Sequence, residues 1–191
     1  MCNLYRLHKS ADEIHRLFAE LGHQLAFPEG LPNLEPVDVR ITDRAPIVQQ
    51  VGGSPALLVR RWSWPLATGK PLYNFRSEGR SFRGNRCLVI ADGFYEHTSP
   101  TDSTRKRKDR WLFTPSDGGL IGIAGIVRDV PAVGEAFTML TAEPGPDVAP
   151  YHHRQIVLLD PAVWREWLAG TSPSAAMLRP TPAGFLRVAA A

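Results

Sequence analysis

Residues 87–97 read "CLVIADGFYEH", and the reading of this run decides the fold. The residues are apolar and β-branched at the start and aromatic towards the end, which is strand chemistry. We read the run as one apolar strand. Cys87 is then a buried strand thiol, since free cysteine is among the most buried residue types. Glu96 stands at the far end, beside Phe94 and Tyr95.

Five similar runs surround it: "ALLVRRW" (56–62), "RWLFT" (110–114), "LIGIAGIV" (120–127), "AFTMLTA" (136–142) and "QIVLL" (155–159). The segment "PSDGG" (115–119) has hairpin chemistry between two of them. Residues 23–55 are rich in proline and glycine, with short strands near "VDVRI" (37–41) and "PIVQQV" (46–51). The tail "RPTPAGFLRV" (179–188) adds a final edge strand.

Two stretches are helical. In "SADEIHRLFAELG" (10–22), Ser10 and Glu13 match a capping box, Ile14, Leu17, Phe18 and Leu21 share one face, and Gly22 stops the helix. In "DPAVWREWLAG" (160–170), Asp160 caps, Pro161 takes the first position and Gly170 ends it. Many strands with two flanking helices predict an α+β fold. Its mostly antiparallel sheet curls into a β-barrel-like core.

The whole chain sets bounds on function. With 191 residues, 43% hydrophobic and 21% charged, it reads as one domain spanning 1–191. That length buries enough surface to fold without a disulfide or metal staple. No run approaches the ~20 apolar residues of a membrane span, and the start lacks a signal-peptide pattern. A cytoplasmic protein is therefore expected, nucleoid-associated if bacterial, and monomeric. The net charge is +3, but "TRKRKDR" (104–110) concentrates five cations. That run suits phosphate contacts or forms a solvated hairpin loop.

Four stretches carry possible chemistry. The first is "MCNLYRL" (1–7). Methionine removal needs a small second residue, and Cys2 qualifies. Removal exposes an α-amine with a reference pKa near ~8 beside a thiol near ~8.5. The amine attacks an aldehyde to form a Schiff base. The adjacent thiol then closes on the imine carbon as a five-membered thiazolidine, intramolecularly. The bland alternative is chance placement of a small residue.

The second is Glu96, a carboxylate that desolvation would tune for proton shuttling, or an ordinary solvent-facing strand end. The third is "APYHHRQIVLL" (149–159), which places His152 and His153 at a strand mouth. Neighbouring strand positions point to opposite faces, so a shared metal is not expected. No third ligand stands at a familiar spacing, and no cofactor is expected. The fourth is "LYNFRSEG" (72–79). Asn74 and Arg76 share a face if extended and suit a phosphate-bearing ligand. Upstream, "RRWSW" (60–64) interleaves Arg60 and Arg61 with Trp62 and Trp64, as a stacking platform for bases or as two core tryptophans.

Taken together, Met-Cys at the start, "NFRSE" (74–78), "RCLVIADGFYEH" (86–97), "HHRQIVLLDP" (152–161) and "WREWL" (164–168) resemble the SOS response-associated peptidase family, also called abasic-site processing proteins. The resemblance spans nearly the whole chain, with the 87–96 block its most specific part. It implies a β-barrel-like core with a positive groove for single-stranded or junction DNA containing abasic sites. It implies a thiazolidine crosslink made by Cys2, self-reversal and, in some members, β-elimination of the lyase type.

By the same resemblance, Asn74 positions the N-terminus and sugar, Glu96 shuttles protons, and His152 assists sugar-ring opening. Arg76 and Arg154 become phosphate or groove contacts, with Trp62 and Arg61 near the DNA path. The chain departs from the family at Asn3 and Leu4, where the family reads Gly-Arg. It departs again at Asp38, Val39, Arg40 and Ile41, and at Gln155 and Ile156. Arg6, on the same strand face as Cys2, stands in for the arginine missing at Leu4. Two other readings compete. One is a cysteine-type peptidase or autoproteolytic hydrolase using Cys2, Asn74 and His152. The other is a non-catalytic binder of modified DNA.

Overall fold

The computed structural model describes residues 2–100 and 104–191. In chain order the strands are β1 (Leu4–Leu7), β2 (Val37–Arg40), β3 (Arg44–Val51), β4 (Ser54–Trp62), β5 (Trp64–Pro65), β6 (Pro71–Leu72), β7 (Asn74–Arg76) and β8 (Arg86–Ala91). They continue as β9 (Gly93–Thr98), β10 (Asp109–Pro115), β11 (Ile121–Val130), β12 (Gly134–Ala142), β13 (Gln155–Ile156), β14 (Leu158–Leu159) and β15 (Leu186–Ala190). The α-helices are α1 (Ala11–Glu20) and α2 (Trp164–Ala169).

Five strands close on themselves in the order β12, β4, β3, β8, β11 and back to β12. This is the expected barrel. Closure leaves no free edge among its members. Its pairings are antiparallel except β12 with β4, and β7 also joins β12 in parallel. A second sheet runs β15-β10-β9-β1-β2. One continuous apolar core joins both. Each fully buried side chain in it, such as Phe94, Phe113 or Trp167, stabilises by about 1.5–3 kcal/mol relative to exposure.

The run 87–97 is not one strand. It breaks at Asp92, so β8 belongs to the barrel and β9 to the second sheet. Gly93 makes the crossing possible: a Cβ there would meet the Phe113 carbonyl at 2.9 Å. The Asp92 carboxylate also accepts from the His8 amide at 2.5 Å and pairs with Arg6. Hydrophobicity alone does not reveal this break, because both halves are buried.

The "PSDGG" hairpin is likewise corrected. The turn forms, with Gly118 N–H donating to Pro115 O at 3.1 Å. But β10 pairs with β9 and β15, while β11 pairs with β8, β12 and β14. The turn therefore hands the chain from one sheet to the other.

Helix α1 carries the expected capping box on Ser10 and Glu13. The second helical stretch is shorter than read. Asp160 caps a 3-10 turn over Pro161–Val163, and only six α-helical residues follow. Trp164 and Trp167 anchor it, their indole N–H groups donating to Leu159 O and Cys87 O at 2.9 Å each. Gly122 receives Trp164, since a Cβ there would lie 2.5 Å from the indole. No helix among the described residues is long and apolar enough to cross a membrane.

Candidate active site

Cys2 lies just ahead of β1 and is fully buried. Each of its polar atoms is held by a different partner. The thiol donates to Leu4 O at 3.3 Å. The carbonyl accepts from Asn74 Nδ2 at 2.7 Å. The backbone nitrogen donates to the Glu96 carboxylate. Burial, then the Glu96 charge, pushes the thiol pKa far up, so sulfur is held as S–H. Met1 lies outside the described residues.

Asn74 opens β7, where its parallel pairing with Met139 on β12 fixes the backbone. Its side chain points inward and is 8% exposed, while Arg76, two residues on, is exposed. The amide nitrogen is committed to Cys2. The Asn74 Oδ1 atom is buried with no partner among the described residues. A buried idle acceptor costs free energy unless a ligand hydroxyl fills it.

Glu96 sits on β9 directly opposite Trp111 on β10 and is 2% exposed. Burial raises its pKa to about 7, against the backbone N–H groups of Cys2 and His97, which pull it down. It therefore gives and takes a proton near neutrality. The Trp111 ring lies 4.9 Å from Tyr151, the residue before His152. Trp111, Tyr151 and Phe113 form an aromatic wall beside the carboxylate. The run pattern did not show this wall, because Tyr151 comes from a distant loop.

His152 Nδ1 lies 2.9 Å from the Arg154 amide nitrogen and 3.0 Å from the Arg154 carbonyl oxygen, so the backbone of Arg154 fixes the ring's orientation. Burial lowers its pKa, with His153 and Lys108 adding to the effect. The expected opposition of His152 and His153 does not occur. Both lie in irregular backbone between a turn and β13, and their rings stack at 4.4 Å. Among the described residues, no group of three His, Cys, Asp or Glu is placed to hold a metal.

The structure thus gathers Cys2, Asn74 and Glu96, with His152 across the aromatic wall and Arg76 exposed beyond Asn74. The remaining residues are placed otherwise. Trp62 is a core residue, not a stacking platform. It is fully buried, its ring 5.2 Å from Tyr5 and its N–H bonded to Tyr73 O at 3.0 Å. Trp64 is 4% exposed. Arg154 grips Glu78 through two nitrogens and bonds Thr141 O and Oγ1 at 2.9 Å each. That fork leaves little of the guanidinium for DNA, and "NFRSE" contained its partner, Glu78. Arg6 is tied to Asp92 rather than turned to Cys2. Arg61 donates to Thr42 O at 3.1 Å.

The fold has solved counterparts. A Bordetella bronchiseptica protein superposes with a TM-score of 0.75 at 23% identity, covering 100% of this chain and 99% of its own. A Bacteroides thetaiotaomicron protein gives 0.74 at 18%, covering 99% and 91%. A phage-related protein from Bordetella bronchiseptica gives 0.75 at 18%, covering 100% and 94%. At these identities the likeness is one of fold. No curated protein matches the chain. The family model for SOS response associated peptidase (SRAP) matches residues 1–190. A match over that span, on the barrel just described, shows that the chain belongs to the SRAP family.

Proposed function

We propose that this protein captures the ring-opened aldehyde of an abasic site in single-stranded DNA through Cys2, once Met1 has been removed. Family membership supports a role associated with DNA damage. The observation that carries the finer reading is the holding of Cys2 by Glu96 at nitrogen and by Asn74 at carbonyl oxygen. That arrangement serves an amine nucleophile, since nitrogen is where the carboxylate acts.

After processing, the Cys2 nitrogen is a primary amine. Glu96 as carboxylate accepts a proton from the ammonium, and the free amine adds to the aldehyde carbon. Glu96, now protonated, returns that proton to the carbinolamine hydroxyl, which leaves as water. The thiol then adds to the iminium carbon and gives its proton to Glu96. The net change joins one aldehyde and one aminothiol into a thiazolidine with loss of one water. A carboxyl titrating near 7 serves each transfer in turn. Neutral His152 assists opening of the sugar ring. Asn74 Oδ1, which has no partner among the described residues, accepts from a sugar hydroxyl.

A peptidase reading fits less well. It needs a thiolate activated by a base, whereas burial and the Glu96 charge oppose thiolate formation and the sulfur donates to Leu4 O. The test is incubation of processed protein with abasic single-stranded DNA, followed by a denaturing gel. A heat-stable adduct that is lost in Cys2→Ala and on selective blocking of the amine is expected. No adduct from the processed wild type would defeat the proposal.

A further inference from the structure

The run 104–110 is left over from the chemistry above. It forms the turn into β10, on the hairpin whose other strand, β9, carries Glu96. Arg105, Lys106, Arg107 and Lys108 are all exposed. Asp109 pairs with Arg105 at 3.1 Å, while among the described residues no carboxylate pairs with Arg107 or Lys108. Arg110 packs over Tyr95, 4.9 Å from the ring centroid.

Arg105, Arg107, Lys108 and Arg110 line a cleft of about 470 Å³ that also takes in Trp111. Trp111 is the residue opposite Glu96, so one indole borders both the cleft and the candidate site. Asp109, opposite Thr98, lies two residues along β10 from Trp111, roughly 7 Å by strand rise. The cleft thus meets the candidate site at Trp111. Lys108 is near enough to bear on both His97 and His152.

We infer that this basic turn grips the phosphodiester backbone of single-stranded DNA on one side of the Cys2 site, with Arg105, Arg107 and Lys108 as positioning residues. The inference rests on the DNA-capture reading for its ligand, but its test does not need the covalent step. A single strand is a flexible polyanion, and an exposed cationic turn beside an aromatic wall matches its two faces. A protein partner of acidic surface is the competing source of negative charge.

The experiment measures binding of undamaged single-stranded DNA across a salt series, for wild type and for Arg105→Ala/Arg107→Ala/Lys108→Ala. Neutralising three phosphate contacts should make the slope of log K against log salt shallower by about 2, at roughly 0.7 per contact. Arg16→Ala/Arg165→Ala/Arg179→Ala, at exposed positions on α1, α2 and the segment ahead of β15, removes the same net charge and should leave the slope as in wild type. The substituted side chains are exposed, and an unchanged thermal midpoint checks the fold. A slope change below 1, or an equal change in the control, overturns the inference. Salt-sensitive binding that depends on the turn, with no adduct on abasic DNA, would remove the capture chemistry and keep the grip. An adduct with no effect of the turn would do the reverse.

Discussion

The side-chain amide of Asn74 donates to the carbonyl of Cys2 across 2.7 Å, joining residues 72 positions apart in the chain. This bond links an edge of the barrel sheet to the segment ahead of β1. It sets where the Cys2 nitrogen and sulfur lie relative to Glu96. Removing it should misplace both nucleophilic atoms and strand a buried carbonyl. Asn74→Ala is expected to slow adduct formation roughly 10- to 100-fold, from about 1–3 kcal/mol of lost hydrogen bonding. Single-turnover rates on abasic DNA measure it; a rate within twofold of wild type would contradict the positioning role.

Glu96 predicts a pH signature. Its folded pKa of about 7 stands above the ordinary carboxylate value. Between the unfolded value of roughly 4.3 and 7, the folded state holds more protons than the unfolded state. Stability therefore falls as pH rises through that window. Glu96→Gln should flatten this decline, read as the difference in thermal midpoint between pH 5 and pH 8. The same variant should lose an inflection near pH 7 in the rate of adduct formation.

His152 predicts the opposite sign. Burial depresses its pKa, so the folded state resists protonation and stability is lost as pH falls below the unfolded value of roughly 6.5. Its imidazole carbon resonances should titrate below 6.5. His152→Ala should slow capture of a closed-ring abasic sugar and spare reaction with a simple aliphatic aldehyde. Equal slowing of both would remove the ring-opening role.

Arg154 and Glu78 predict a structural phenotype. The guanidinium is 8% exposed and the carboxylate 45%. Arg154 holds Glu78 below the usual carboxylate range, so the pair's contribution is present above the unfolded carboxylate pKa and fades as pH falls through the lowered one. Solvent screening keeps the Glu78 share to about 1 kcal/mol. Arg154→Ala also removes the bonds to Thr141 and should cost more, about 2–4 kcal/mol. Arg154→Lys should recover little of it, because an ammonium cannot reproduce the two-pronged contact. Denaturant melts measure the losses. A stable Arg154→Ala that loses only DNA affinity would assign this residue to DNA instead.

Several features follow from the residues in order. Ser10 and Glu13 close a capping box because both lie within one turn. Asp160 and Pro161 start a 3-10 turn ahead of α2 because cap and first-turn chemistry are local. The apolar composition of runs such as 56–62 and 136–142 specifies strands, and their number with two helices specifies an α+β barrel. The motifs from Cys2 to His152 carry the family resemblance, and they do so before any contact is known.

Only the tertiary structure decided partners. Whether "CLVIADGFYEH" is one strand or two depends on Gly93 meeting a carbonyl from β10, a contact 20 residues away. Whether Trp62 faces bases or the core depends on Tyr5 and Tyr73 closing over it. Whether Arg6 and Arg154 are available depends on Asp92 and Glu78, which the fold brings beside them. Residue type and spacing set local geometry and burial tendency. Charge neutralisation, desolvation and side-chain access are properties of neighbours in space, and long-range sheet closure supplies those neighbours.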